Sequence, residues 1–393
     1  MNISSRAAIT LTFIAFGAVV GSQVGTIPVI KAQSGADAFI FGVLASLGTL
    51  ATITTMSLGG WVNKRFDHRS VLLFIMPVAF VAFVYGLTAH SIFAFGLSFV
   101  ALSLCTGTMD LFMNAEASVV EHDLAKPVFS SFHAAVLYAI GIFGLISGFI
   151  SVNWGPLWAA IPALPFVAAA VYAVMKAIPH RSVERAHDAP PRIPLPKKIL
   201  ILIGIIIGLD VAAELTCVQW SGQMLNELQP QLAAYSGLGI AFYGLCNGSM
   251  RMVGDALRAR FDDLHLVAAS FSVGLIGFVI LATGPGFGIS VIAFAISGVG
   301  LGLIFPCLFS VAAKLAPESR AAALGLVSAV SGPPRVLLPL LLGFLAQNYG
   351  LSSIYIAASI GTMVALGFTF WATREISKNH GAQVSPRPSP SHS

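Results

Sequence analysis

Long apolar runs, each closed by a short cluster of charged residues, Pro or Gly, alternate along the whole chain. Runs bounded in this way predict helices over 7–30, 39–61, 70–89, 91–119, 131–152, 154–176, 198–222, 234–256, 264–283, 287–314, 321–345 and 351–373. Each reaches the roughly 20 apolar residues that span a hydrocarbon core, and the longer ones imply tilt or ends that protrude into water. The pattern is that of an all-α polytopic membrane protein with twelve transmembrane helices.

Composition agrees. Only 9% of the 393 residues are charged and 56% are hydrophobic, with a mean hydropathy of +0.87, where soluble domains carry about 25% charged residues. The first run, Ala7 to Ile30, exceeds the roughly 7–15 residue core of a secretory signal and lacks a small-x-small cleavage site, so it reads as a retained first helix. Cys105, Cys217, Cys246 and Cys307 lie within apolar runs without metal-ligand or disulfide spacing. No metal and no cofactor is called for. The net charge of +5 does not indicate nucleic acid, because the basic residues are scattered among interhelical turns with no stacking aromatics beside them.

Their placement instead gives an orientation. An even number of spans puts both termini on one side, and 18 of the 21 Lys and Arg fall on that side, with Lys31 opposite and Arg251 and Arg335 inside helices. The positive-inside rule then expects both termini in the cytoplasm of a multi-pass protein of the bacterial inner membrane. The segment HRSVERAHDAPPRIPLPKK at 180–198 reads as a cytoplasmic linker, and the tail after Arg374, ending GAQVSPRPSPSHS, as disordered.

The two halves repeat at a constant offset of 195: Gly42 with Gly237, Gly59 with Gly254, Arg65 with Arg260, Asp67 with Asp262, Gly107 with Gly302, and Gly148 with Gly343. Such a repeat favours duplication of a six-helix unit. The expected domains are a bundle over 1–176, a linker over 177–197, a second bundle over 198–373 and a tail over 374–393.

The turn between helices 2 and 3, with Gly60, Arg65, Phe66, Arg69 and Leu72 in place, resembles motif A of the major facilitator superfamily, and Gly254, Asp255, Arg260 and Asp262 repeat it weakly between helices 8 and 9. Lys64 and Ala259 stand where that motif carries Asp, and Asp67 and Asp262 replace its second Gly. The family's Asp latch therefore does not carry over intact, and Asp67 with Arg65 or Arg69 is the candidate substitute. DLFMNAEA at 110–117 followed by SSFHA at 130–134 is similar to a bacterial branch that includes the MosC-like, rhizopine-locus membrane proteins. The resemblance implies two pseudo-symmetric six-helix bundles with helices 1, 4, 7 and 10 lining a central cavity.

Ionisable groups within spans are costly and so are candidates for function. Asp210 and Glu214, four residues apart on helix 7, share a face. By the resemblance they lie on the substrate path, where carboxylates can bind and release protons. Arg335, flanked by Pro333, Pro334 and Pro339, either pairs with Asp210 or receives an anionic substrate. Asp110 and Asn114 share a face of helix 4, for gating, proton passage or a lock onto helix 5, while Glu116 points elsewhere, toward the surface. His133 reads as a packing residue before a proton relay, Arg251 as a residue that snorkels, and Gln23 and Trp220 as outer-end groups, Trp220 in the aromatic belt. Gly17, Gly21 and Gly25 form a small-xxx-small row.

These features favour a secondary transporter that moves a small polar solute by alternating access, with the proton as coupling ion and the bilayer as its surroundings. No ATP-binding loop, His-Glu-x-x-His or Gly-x-Ser-x-Gly motif is present, so an enzyme is not expected. The alternative is a non-transporting membrane sensor on the same fold. Substrate charge stays open, and nothing requires more than a monomer.

Overall fold

The computed structural model describes residues 3–63, 65–124, 128–180 and 195–384, with the surroundings of 59–61, 63 and 379–384 outside the description. Among the described residues the ordered elements are helices. The first half comprises α1 (Ser5–Ser34), α2 (Ala38–Asn63), α3 (His68–Leu87), α4 (Ile92–Leu124), α5 (Phe129–Asn153) and α6 (Leu164–Ala177). The second comprises α7 (Lys197–Leu228), α8 (Leu238–Arg258), α9 (Asp263–Ala282), α10 (Phe287–Leu301), α11 (Ile304–Leu315), α12 (Arg320–Tyr349) and α13 (Ser352–Val384).

Among the described residues, eleven segments are long and apolar enough to cross a membrane, counting α6 with its preceding 3₁₀ turn as one and α10 with α11 as another. α8 occupies the place of the remaining predicted span but carries Arg251, Asp255 and Arg258. Two segments depart from expectation, and α12 keeps its predicted course. The tenth span is broken at Gly302–Leu303, where a side chain at Gly302 would strike Met250 and the carbonyl of Asn247, so the break seats backbone against α8. α12 stays continuous through Pro333, Pro334 and Pro339, held where Gly204 and Gly208 of α7 fit against Val330 and Pro334. α13 runs to Val384, ten residues into the segment expected to be a disordered tail; 385–393, and 181–194 of the linker, lie outside the described residues.

The expected close approach of α1 is present. A Cβ at Gly17 or Gly21 would lie 2.5 Å from the carbonyl oxygen of Val136 or Ile140, and Gly25 faces Gly144, so α1 and α5 pack backbone to backbone. Large apolar side chains such as Phe74 and Phe93 point outward, as expected where the surrounding solvent is hydrocarbon.

One set of close cross-bundle contacts lies at the end opposite the start of α1, here the far end. There Gly42 of α2 meets Gly343 of α12, and Gln347 Oε1 accepts from the Ala38 amide at 3.1 Å. Gly237 at the start of α8 lies against Leu145 of α5, and Lys31 Nζ donates to Gln223 Oε1 at 2.8 Å. At the near end Ser130 Oγ of α5 donates to Asp255 Oδ2 of α8 at 3.3 Å, while the position of a Cβ on Gly325 of α12 has nothing within 4 Å.

Candidate inter-bundle site

A cavity of about 230 Å³ lies between the bundles, walled by α1, α2, α4, α7 and α12. Its polar groups are Gln23, Thr49, Thr52, Ser103, Gln219 and Arg335. Thr49 Oγ1 donates to Ala45 O at 2.9 Å, Thr52 Oγ1 to Gly48 O at 3.1 Å, and Ser103 Oγ to Phe99 O at 2.8 Å. Thr49 and Ser103 thus spend their hydrogens on their own helices, Thr52 shares its between Gly48 O and Ser103 O of α4 at 3.3 Å, and all three leave oxygen lone pairs for the cavity. Arg335 is the cation of the lining, and its Nε is buried without a hydrogen-bond partner. Among the described residues no carboxylate stands within 4 Å of Arg335 in an ion pair, so the expected alternative of pairing with Asp210 is not the arrangement seen.

α7 divides its residues between two neighbours. Val211, Leu215, Val218 and Gln219 line the cavity, whereas Glu214 is bonded to α8. Glu214 Oε1 accepts from Arg251 Nη2 at 3.0 Å and from Asn247 Nδ2 at 3.0 Å. Arg251 Nε donates to Asn247 Oδ1 at 3.1 Å, and Asn247 Nδ2 also approaches Tyr243 Oη at 3.2 Å. Arg251 therefore does not snorkel, because a carboxylate one helix away satisfies it better than the distant surface. Asp210 is 0% exposed, and both its oxygens lack hydrogen-bond partners.

This cluster was not anticipated from the sequence, although Tyr243, Asn247, Arg251 and Asp255 recur every four residues in α8 and so share a face. Nor was Asp263, 5% exposed, which accepts from Arg258 Nε at 2.9 Å, Lys314 Nζ at 2.7 Å and Ser310 Oγ at 3.0 Å and so ties α8, α9 and α11 together. Position 68, the repeat partner of Asp263, is His68, whose Nδ1 lies 2.7 Å from Glu116 Oε1. Glu116 is 1% exposed and binds α4 to α3, contrary to the expectation that it reaches the surface. The same repeat position thus ties helices together in both halves, through a carboxylate in one and an imidazole in the other.

Other expected site residues disperse. Asp110 and Asn114 bond each other, Asn114 Nδ2 to Asp110 Oδ1 at 3.0 Å. His133 packs its ring against Phe13 and Phe129, at centroid distances of 5.5 and 5.0 Å, beside a second, near-end cavity of about 280 Å³ that Arg251, Gly254 and Asp255 also line. Trp220 is not at a lipid interface: it is 0% exposed and meets Phe41 edge-on at 5.0 Å. Asp67 caps α3, accepting from the Ser70 amide at 3.1 Å, and pairs with His180 at 2.9 Å. Asp262 caps α9 in the same way, accepting from Leu264 N at 2.9 Å and His265 N at 3.2 Å. Arg69 Nη2 donates to Met175 O at 2.8 Å, Asp255 lies 3.7 Å from Arg258, and Arg65 and Arg260 are exposed at the near end. Gly60 falls in α2, where its surroundings lie outside the description.

Known proteins share this architecture. The transporter y4wD of Sinorhizobium fredii is 24% identical over 345 residues, 85% of this chain and 89% of that protein. The membrane protein MosC of Rhizobium meliloti is 24% identical over 382 residues, 92% and 90% of the two chains. Among solved structures, a mutant of the nucleoside transporter NupG superposes with a TM-score of 0.77 at 11% identity, covering 94% of this chain and 100% of that one. A D-xylose–proton symporter superposes at 0.71 and 12% identity, covering 92% and 95%. The family model of the Major Facilitator Superfamily matches residues 9–332 and again 200–391. Two bundles related by an internal repeat, a cavity between them and a family match over nearly the whole sequence give one conclusion: the chain is a multi-pass membrane transporter of the Major Facilitator Superfamily.

Proposed function

We propose that the protein is a proton-coupled secondary transporter of a small polar solute, working by alternating access, with both termini in the cytoplasm and the inner membrane as its site. The observation that carries this reading is the inter-bundle cavity closed off at the far end by the contacts of Gly42 with Gly343 and of Gly237 with Leu145. With the far end outside, this is the inward-facing arrangement, and rocking the bundles about the cavity exchanges the sealed end. The expected domains, 1–176 and 198–373 joined by the linker 177–197, are the rocking units. Asp210 supports the proton. A fully buried carboxylate with no hydrogen-bond partner is costly when charged, and a proton removes that cost. Catalysis has no part in this reading.

The test is flux into vesicles holding purified protein, under an imposed pH gradient, for a panel of acidic, neutral and basic solutes. Uptake that collapses with a protonophore and loses its dependence on the gradient in Asp210→Asn is expected. Gradient-independent uptake would remove proton coupling, and solute binding without any flux would make the protein a sensor.

A further inference from the structure

The chemistry of the cavity wall selects among solutes. We infer that the cavity takes a compact hydroxylated monocarboxylate, its carboxylate held by Arg335 and its hydroxyls by Thr49, Thr52, Ser103 and the two glutamines, an inference that rests on the transporter reading.

Charge comes first. Arg335 brings a guanidinium to a wall on which, among the described residues, no Asp or Glu stands, Glu214 being paired with Arg251 of α8. The Nε of Arg335 is buried and unbonded, and leaving a buried donor unmade is costly, about 1–3 kcal/mol and more for a charged group. A ligand carboxylate, accepting through two oxygens, meets the fork geometry of a guanidinium. A zwitterion or a cation has no counter-charge on this wall.

Hydrogen bonding comes second. Thr49, Thr52 and Ser103 have their hydrogens committed to helix carbonyls, so they offer acceptor lone pairs and call for donors on the ligand. The side-chain amides of Gln23 and Gln219 can serve either role. Hydroxyl groups satisfy both sets, whereas a purely aliphatic acid leaves them unsatisfied.

Size comes third. At about 230 Å³ the cavity lies below the roughly 300–1,000 Å³ of sites for drug-sized ligands. A sugar acid or a shorter hydroxy acid fits that scale.

The test uses the purified full chain in detergent and three matched probes, D-glucuronate, its methyl ester and D-glucosamine, with glycerate and propionate as a shorter pair with and without hydroxyls. Thermal stabilisation by glucuronate or glycerate is expected, at least about tenfold weaker for the ester and for propionate. Arg335→Gln should abolish the response to the acids and Arg335→Lys should leave a weakened one. Thr49→Val, which keeps shape and removes only the hydroxyl, should lower the affinity for the hydroxy acids and leave propionate unchanged. Equal response to acid and ester in the wild type overturns the inference without relying on any variant, as does preference for glucosamine or no response to either hydroxy acid. Flux separates the two readings. A neutral or basic solute that is moved while the acids are not leaves the transporter standing and removes the anion; an acid bound through Arg335 but never moved does the reverse.

Discussion

Gly42 of α2 and Gly343 of α12 face each other so closely that a Cβ built on either would lie 2.7 Å from the other's Cα. Their counterparts under the 195-residue repeat are Gly237 and Gly148, and Gly237 lies against α5 one turn away, with its Cβ position 2.6 Å from the Cα of Leu145. Both cross-bundle seams at the far end, α2 against α12 and α5 against α8, therefore depend on a missing side chain at equivalent positions, Gly42 and Gly237.

Adding bulk at that contact should open the far end. Gly343→Val overpacks the seam at a cost of about 1–3 kcal/mol, which at 1.4 kcal/mol per factor of ten lowers the closed population roughly five- to 150-fold. Disulfide formation between Ala38→Cys and Gln347→Cys, whose native backbone and side chain bond at 3.1 Å, reports this closure in a background lacking the native cysteines. Unchanged cross-linking in Gly343→Val would show that the glycine contact does not hold the seam.

The pair Glu214–Arg251, at 3.0 Å and largely shielded from solvent, should behave as one unit. Removing either partner strands the other, so Glu214→Gln or Arg251→Met is expected to lower stability by about 1.5–3 kcal/mol, the range for hydrogen bonds to charged groups. The double variant should lose less than the sum of the two. A double-mutant cycle on denaturation midpoints in detergent measures that coupling, and simple additivity would dissolve the pair.

Asp67 stands where motif A has a second Gly, and its structural work is to cap α3. Asp67→Ala should cost about 1 kcal/mol, while Asp67→Asn and Asp67→Ser, which still accept from the Ser70 amide, should cost a few tenths. Asp262→Ala should repeat the result at α9. If Asp67→Asn instead matches the alanine variant, its charge, and with it the pairing with His180, outweighs the cap.

Trp220 offers a packing check. Buried against Phe41, it should tolerate Phe but lose about 3–5 kcal/mol as Trp220→Ala. In vesicles containing brominated lipids its fluorescence should resist quenching in a variant where the other four Trp are replaced by Phe. Strong quenching would put it at the lipid after all.

Helix number, approximate ends, the internal repeat and the glycine row of α1 were legible because each is written in local order. Apolar run length answers to membrane thickness, and equal spacing answers to duplication. The small-residue stripe answers to a neighbouring backbone. The break at Gly302–Leu303 was not legible, since its cause is the carbonyl of Asn247 on another helix. Nor were the partners of the buried charges. Glu214 and Arg251 are 37 residues apart, Asp263 and Lys314 51 apart, and His68 and Glu116 48 apart. Periodicity put Asp210 and Glu214 on one face of α7, but a helix face has no preferred neighbour until the bundle forms. Only the tertiary structure bonded Glu214 to α8 and left Arg335 facing the cavity with its Nε unbonded. The sequence by itself determined which segments enter the membrane, because transfer into hydrocarbon is a property of each segment. The packing decided which charges meet, because a buried charge seeks whichever partner the neighbouring helix brings within reach.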